Sequence, residues 1–235
     1  MSEAAPVVTI DGPSGAGKGT VSRLLAARLG WHLLDSGALY RLVALAGQQA
    51  RLGEQDVDGH AALAGHMAVR FATDPRGEEQ VWLAGEDVTG PLRSESTGAG
   101  ASRVAQWPAV RQALLDRQRQ FARPPGLVAD GRDMGSVVFA AAPLKIFLTA
   151  SAEERAQRRY KQLKDKGSAV NLAALSRDIE QRDRQDAMRA ASPLVAAPDA
   201  VLLDSTRVSA NEVVQAIVEL GVTRGLWVAD APQRV

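Results

Sequence analysis

The stretch VVTIDGPSGAGKGT (residues 7–20) runs from strand-like residues through a Gly-rich turn into a helical pattern. Val7-Val8-Thr9-Ile10 is a short apolar, β-branched run, as a buried strand requires. From Val21 to Leu29 the leucines at 24, 25 and 29 recur at helical spacing. Between them lie Gly12, Pro13, Ser14, Gly15, Ala16, Gly17, Lys18, Gly19 and Thr20. Gly12, Gly15 and Gly17 let the backbone curl so that several N–H groups point at one anion. The helix N-terminus adds its positive dipole end, and Lys18 places a cation on the terminal phosphates of a donor. The strand–loop–helix order separates a phosphate-cradling G-x-x-x-x-G-K-[ST] loop from a Gly-rich turn with a chance lysine. One position departs from the pattern: Gly19 follows Lys18, and the hydroxyl of Thr20 comes one residue late.

Further strand-like runs are His32–Leu34, Leu127–Ala129, Lys145–Leu148 and Ala200–Leu203, and helical stretches lie at 153–166, 171–189 and 209–219. Repeated β then α with short apolar strands predicts an α/β fold, a parallel sheet with helices on both faces. Val69-Arg70-Phe71 and Val81-Trp82-Leu83, separated by Thr73–Gly77, break the rhythm as a small β-hairpin, and Asp87 to Gly90 opens a further turn. The expected organisation is one domain over 1–225, with its core at about 1–59, 106–152 and 168–225. An insertion occupies about 60–105, a short charged helical attachment 153–167, and a loosely held tail 226–235, its looseness starting from about Val222.

With 235 residues the chain can bury a sizeable core. It has no cysteine, which excludes disulfides, zinc–thiolate sites and a cysteine nucleophile, and fits a reducing compartment. Lys plus Arg number 28 against 27 Asp plus Glu, so the chain lacks the charge excess of a general nucleic-acid binder. No run of about 18 apolar residues and no signal-peptide pattern is present, so the expectation is a soluble cytoplasmic protein with no membrane partner. H-E-x-x-H, G-x-S-x-G and paired-histidine metal spacings are missing; His60 and His66 have no partner pattern, and Trp31 and His32 read as packing.

Two loops after strands supply the other chemistry-bearing residues. Asp35-Ser36-Gly37-Ala38-Leu39-Tyr40-Arg41 follows the second strand, at the sheet edge where ligands bind, and Arg41 suits a second phosphate. Its bland alternative is a turn capping a helix, with Ser36 as N-cap. Asp130-Gly131-Arg132-Asp133-Met134-Gly135 follows the third strand, with Asp130 placed as a magnesium- or water-ordering carboxylate. Arg182, Asp186 and Arg189 fall on one helical face, and Arg155, Arg158 and Arg159 on another. Such runs are most often solvated salt-paired helices, but phosphoryl transfer needs cations around the transferred group.

Together IDGPSGAGKGT (10–20), WHLLDSGALYR (31–41), GEDVTG (85–90), ADGRDMGSVVF (129–139), KIFL (145–148), ERAQRR (154–159) and LLDST (202–206) resemble the bacterial cytidylate kinase family. The G-K-G-T ending of the loop is similar to the variant in nucleoside monophosphate kinases. The resemblance implies a P-loop nucleoside monophosphate kinase fold: a parallel-sheet core, a monophosphate-binding insertion and a short lid. It implies transfer of the γ-phosphoryl of ATP to CMP or dCMP, with Mg²⁺ carried by ATP and no metal ligand assigned to the protein. Carried over residue by residue, the donor loop is Gly12–Thr20, and the acceptor-phosphate arginines are Arg41, Arg132 and Arg189. Cytosine-reading groups are Ser102, Arg111 and Asp133; ribose contacts are Arg182 and Asp186; Ser36 and Tyr40 line the acceptor pocket. Lys18, Arg132, Arg155, Arg158 and Arg189 are the expected catalytic cations, with Arg159 a further lid candidate. Gln185, Ala187 and Met188 depart from the arginine-rich pattern of the family. A monomer with ATP and CMP or dCMP as partners is expected. The rivals are a kinase for UMP, AMP or shikimate on the same fold, and a P-loop GTPase switch; no N-K-x-D guanine reader is present.

Overall fold

A computed structural model describes residues 5–73, 79–165, 167, 170–189 and 192–228. By contacts the chain divides into two compact units, one of residues up to Leu34 and from Phe121 on, the other Asp35–Gln120.

The first unit is built on a five-stranded sheet in the order β2-β6-β1-β7-β8, with β1 Val7–Asp11, β2 His32–Asp35, β6 Leu127–Gly131, β7 Leu144–Thr149 and β8 Val201–Asp204. The β1–β6, β1–β7 and β7–β8 pairs are parallel. β1 and β6 are buried at every position, which is why they read as unbroken apolar runs without alternation. Helices α1 (Lys18–Leu29) and α9 (Ala210–Thr223) put Val21, Leu25, Val213, Val214 and Ile217 into a core with Val8, Ile10, Val128, Leu144, Ile146 and Leu148. Ser209 and Glu212 close a capping box at the start of α9. Helices α7 (Ala152–Asp165) and α8 (Leu172–Met188) complete the unit, with a single π-helical turn at Met134–Val138.

Parallel register fixes the site. Asp11 pairs with Gly131 and Thr149 with Asp204, so the loops after β1, β6, β7 and β8 all leave the sheet at one edge. That is the edge where open α/β sheets bind ligands.

The tail does not begin at Val222. α9 runs to Thr223, and the Trp227 indole donates to the Val218 carbonyl at 3.1 Å while meeting Trp31 edge-on at 5.5 Å. The apolar area of one indole holds 226–227 down; residues 229–235 lie outside the described residues.

In the second unit, β3 (Val69–Thr73), β4 (Glu79–Leu83) and β5 (Glu86–Asp87) form an antiparallel sheet, so the expected hairpin is present; its turn, 74–78, lies outside the described residues. The unit also holds α2 (Ser36–Gln49), α3 (Val57–His66), α4 (Thr89–Leu92), α5 (Glu95–Val104) and α6 (Pro108–Arg119). The 60–105 stretch falls inside it. The turn expected at Asp87–Gly90 is instead the end of β5 and the start of α4, tied by Asp87 accepting from the Thr89 amide and hydroxyl. α5 carries Gly98 and Gly100, poor helix formers that blur its pattern. Each has a packing reason: a methyl on Gly98 would crowd the Arg41 guanidinium at 2.9 Å, and one on Gly100 the Ala44 methyl at 3.0 Å.

Candidate active site

The loop between β1 and α1 has the backbone its glycines predict. Gly12, Gly15 and Gly17 all have positive φ, at 145°, 80° and 91°. A side chain on Gly12 would also run into the Leu148 carbonyl of β7. Lys18, the first residue of α1, is buried, and its Nζ donates to the Pro13 carbonyl at 3.0 Å and lies 4.0 Å from Asp130 Oδ1. Burial pushes Lys18 down to about 8, with Arg132 and Arg182 pushing the same way against Asp130 and Asp11. Bound phosphates would oppose that push, so the ammonium is poised to gain from an anionic ligand.

Asp11, at the end of β1, is a site residue the sequence reading passed over. Its carboxylate accepts from the Met134 amide at 2.8 Å and the Gly135 amide at 2.7 Å. Those amides directly follow Asp133, whose own carbonyl takes the Val137 and Val138 amides to form the π-helical turn. Asp11 thus fixes the backbone that presents buried Asp133. The signal was the one used for Asp130, an acidic residue ending a buried strand beside a Gly-rich loop.

Arg132, Asp186 and Arg189 come together. Arg132 Nε donates to Asp186 Oδ2 at 2.9 Å, and Arg189 Nε lies 4.0 Å from Asp186 Oδ1. Burial pushes the Asp186 carboxyl up, but Arg132, Arg189 and Arg182 together hold it below the usual carboxylate range. One detail differs: α8 ends at Met188, so Arg189 is not part of the shared helical face. Its extended backbone turns it back to the helix's C-terminal end, where a cation is favoured.

The α7 arginines are differently engaged than expected. Arg155 donates through Nε to the Ala150 carbonyl, through Nη1 to the Ser14 carbonyl, and through both Nη atoms to the Asp183 carboxylate at 3.0 and 2.6 Å. Arg158 bonds Glu154, the Ser205 hydroxyl and the Ser205 carbonyl. Arg159 bonds Gln162 at 2.7 Å. With four protein acceptors around its guanidinium, Arg155 braces the donor loop from outside.

In the second unit, Asp35 and not Ser36 caps α2, its carboxylate accepting from the Ala38 amide at 3.0 Å. The capped-helix alternative is therefore correct in kind, and it fixes Ser36, Tyr40 and Arg41 on a rigid element. Arg41 Nη1 donates to the Leu92 and Ser94 carbonyls at 2.9 and 3.0 Å, and burial lowers its pKa, partly offset by Asp35. The Arg111 guanidinium lies 5.7 Å over the Tyr40 ring and donates to the Ala105 carbonyl. The Ser102 hydroxyl donates to the Gly98 carbonyl, on the α5 turn that faces Arg41. Tyr40, Arg41, Ser102 and Arg111 thus gather on α2, α5 and α6.

Among the described residues no three His, Cys, Asp or Glu side chains group as a metal cage. A hard cation arriving on donor phosphates fits the all-oxygen carboxylate chemistry of Asp130 beside the loop. Among the described residues no helix is long and apolar enough to cross a membrane.

A cytidylate kinase from Azotobacter vinelandii is 56% identical over 227 residues, covering 96% of this chain and 99% of that one. One from Pseudomonas aeruginosa is 58% identical over 219 residues, covering 93% and 96%. One from Colwellia psychrerythraea is 56% identical over 218 residues, also covering 93% and 96%. The profile of the cytidylate kinase family matches residues 8–222, from inside β1 into the last turn of α9. A Gly-rich loop with a buried lysine, an arginine–aspartate cluster in the same unit and a family match over residues 8–222 make the chain a member of the cytidylate kinase family.

Proposed function

We propose that the protein transfers the γ-phosphoryl of ATP to CMP and dCMP, giving CDP and dCDP. The observation that carries this reading is the loop of residues 12–20, with three positive-φ glycines and buried Lys18, beside the Arg132–Asp186–Arg189 cluster. Family membership favours CMP over the acceptors of other kinases on this fold.

In this reading the donor phosphates lie in Gly12–Thr20, with Lys18 on the terminal phosphates. Asp130 would hold Mg²⁺ carried in by ATP, and the ion would supply charge neutralisation at the donor phosphates. Arg41, Arg132 and Arg189 hold the acceptor phosphate, Arg182 and Asp186 the ribose, with Ser36 and Tyr40 lining the pocket. No covalent nucleophile is required, because the acceptor phosphate oxygen attacks in line; positioning and charge neutralisation carry the rate. Arg158, whose Nη1 lies 3.5 Å from the Ala16 carbonyl of the loop, is a lid cation in this reading. Exclusion of water by the lid and the 60–105 segment would limit wasteful hydrolysis of ATP.

Base choice rests on Asp133, with Arg111 and Ser102. Cytosine offers an N4–H₂ donor where uracil offers an O4 acceptor. An ionised carboxylate only accepts hydrogen bonds, so it suits cytosine and repels O4. The test is ADP release from Mg-ATP with CMP, dCMP, UMP and AMP side by side, in wild type and Asp133→Asn. The variant is expected to narrow the CMP/UMP ratio of kcat/KM by about 5- to 150-fold, the worth of one good base-edge contact. A wild type that prefers UMP or AMP would overturn the substrate reading; an unchanged ratio in the variant would overturn the role of Asp133.

A further inference from the structure

The LLDST stretch (202–206) has so far carried no role, and neither has Asp183. Ser205 meets the donor loop directly, and Asp183 meets it through Arg155. Ser205, 3% exposed, follows β8, and its hydroxyl lies 2.9 Å from the Ala16 carbonyl and 3.0 Å from the Thr149 carbonyl. The same oxygen accepts from Arg158 Nη1 at 3.1 Å, and Arg158 Nη1 is itself 3.5 Å from the Ala16 carbonyl. The Ser205 amide donates to Thr149, which continues the β7–β8 ladder and fixes the position of the hydroxyl. Two peptides earlier in the loop, the Ser14 carbonyl takes Arg155 Nη1 at 3.0 Å. Asp183 grips that guanidinium with both oxygens, the geometry that gives an arginine one orientation. Arg155 is 5% exposed, and a methyl on Gly15 would meet its Cβ at 3.0 Å.

In a planar trans peptide the C=O and the following N–H point in opposite directions. A donor that holds the Ser14 carbonyl from outside therefore turns the Gly15 N–H the other way. A donor on the Ala16 carbonyl does the same for the Gly17 N–H. Positive φ at Gly15 and Gly17 lets these amides turn toward one concave side. Glycine makes the curl possible but does not choose it, because glycine visits both signs of φ with similar ease.

We propose that Ser205 and the Arg155–Asp183 pair are positioning residues of the donor loop, holding the Ala16 and Ser14 carbonyls outward so that the Gly17 and Gly15 amides face the donor phosphates. The proposal rests on the assignment of Gly12–Thr20 as the donor loop. Each clamp acts on its own amide, and the two effects are separable.

The test follows the Gly15 and Gly17 amide protons by ¹H–¹⁵N NMR as a non-hydrolysable Mg-ATP analogue binds. ATP and CMP affinities and melting temperature are measured alongside. In wild type both amides should move downfield. Ser205→Ala should reduce the Gly17 movement and leave Gly15 nearly intact; Asp183→Asn should do the reverse. Each variant should weaken ATP-analogue binding about 3- to 12-fold, the worth of one hydrogen bond, and leave CMP binding within about twofold. Asp183 is partly exposed, so its isosteric variant remains informative if Ser205→Ala folds poorly. If both amides move as in wild type in the folded variants, or ATP and CMP affinities fall together, the positioning role is overturned. If neither amide moves in wild type, the donor-loop assignment itself falls, and this proposal with it.

Discussion

Replacing Asp186 with asparagine removes a negative charge from among three arginines while changing almost no volume. The Asp186 side chain is 10% exposed, and Arg132 and Arg189 beside it are 19% and 6% exposed. Removing one partner of a buried pair costs about 3–5 kcal/mol, because the surviving charge stays buried. The asparagine carbonyl can still accept from Arg132 Nε, so the lower end, about 3 kcal/mol, is expected. At roughly 2–4 °C per kcal/mol for a chain of this size, the melting temperature should fall by about 6–12 °C. The loss has a second signature. If these arginines hold the acceptor phosphate, a bound anion restores part of the missing negative charge. CMP at saturation should then raise the melting temperature of Asp186→Asn more than that of wild type, even if ribose contacts are weakened. Thermal unfolding by circular dichroism, with and without CMP, measures both effects. A variant within about 0.5 kcal/mol of wild type, the usual range of surface substitutions, would refute the buried-pair reasoning. Equal or smaller stabilisation by CMP would refute the link between the arginines and the acceptor phosphate.

Gly12→Ala should unfold the donor loop locally and abolish turnover, because φ of 145° and the Leu148 carbonyl both exclude a Cβ; turnover within tenfold of wild type would contradict this. Burial pushes the Asp11 carboxyl up to about 6 in spite of its two amide donors, so the folded chain keeps a proton that the unfolded chain loses near 4. Its contribution to stability therefore declines by about 3 kcal/mol as pH rises from 4 to 6 and is level above that. Asp11→Asn does not titrate, so its deficit against wild type should shrink by that amount over the same pH window in urea unfolding; a constant deficit would contradict the assignment.

The donor loop was legible because its chemistry is local: glycines at fixed offsets, a lysine at the helix start and a strand before them. The strands of the first unit were legible for a related reason, since β1 and β6 are buried throughout and leave solid apolar runs. α5 was not, because Gly98 and Gly100 were spent on making room for Arg41 and Ala44 at the expense of helical pattern. α2 is half-legible: the Asp35–Arg41 stretch stands out for its side chains, but the cap is Asp35, one residue before the hydroxyl of Ser36 that suggests itself. Asp183 and Ser205 could not be read as partners of the loop at all. Ser205 lies 189 residues from Ala16, and Arg155 lies 141 from Ser14, so only the parallel register of the sheet brings them to one edge. The lid arginines show the converse limit: their spacing on α7 was visible, but their acceptors were not.

The two indoles that close the C-terminal end of the first unit have a spectroscopic use. Trp31 and Trp227 meet edge-on at 5.5 Å, close enough for their transition dipoles to couple, and loss of that contact would remove a feature from the circular dichroism spectrum. The other two tryptophans belong to the second unit: Trp82 lies under the Arg70 guanidinium at 4.7 Å, and Trp107 stands 5.2 Å from the His60 imidazole, neither of them beside another indole. The Trp31–Trp227 dichroism therefore reports on the first unit of an unlabelled chain, whereas emission, to which all four indoles contribute, reports on both. Unfolding followed by both signals at once would show directly whether the two units melt together.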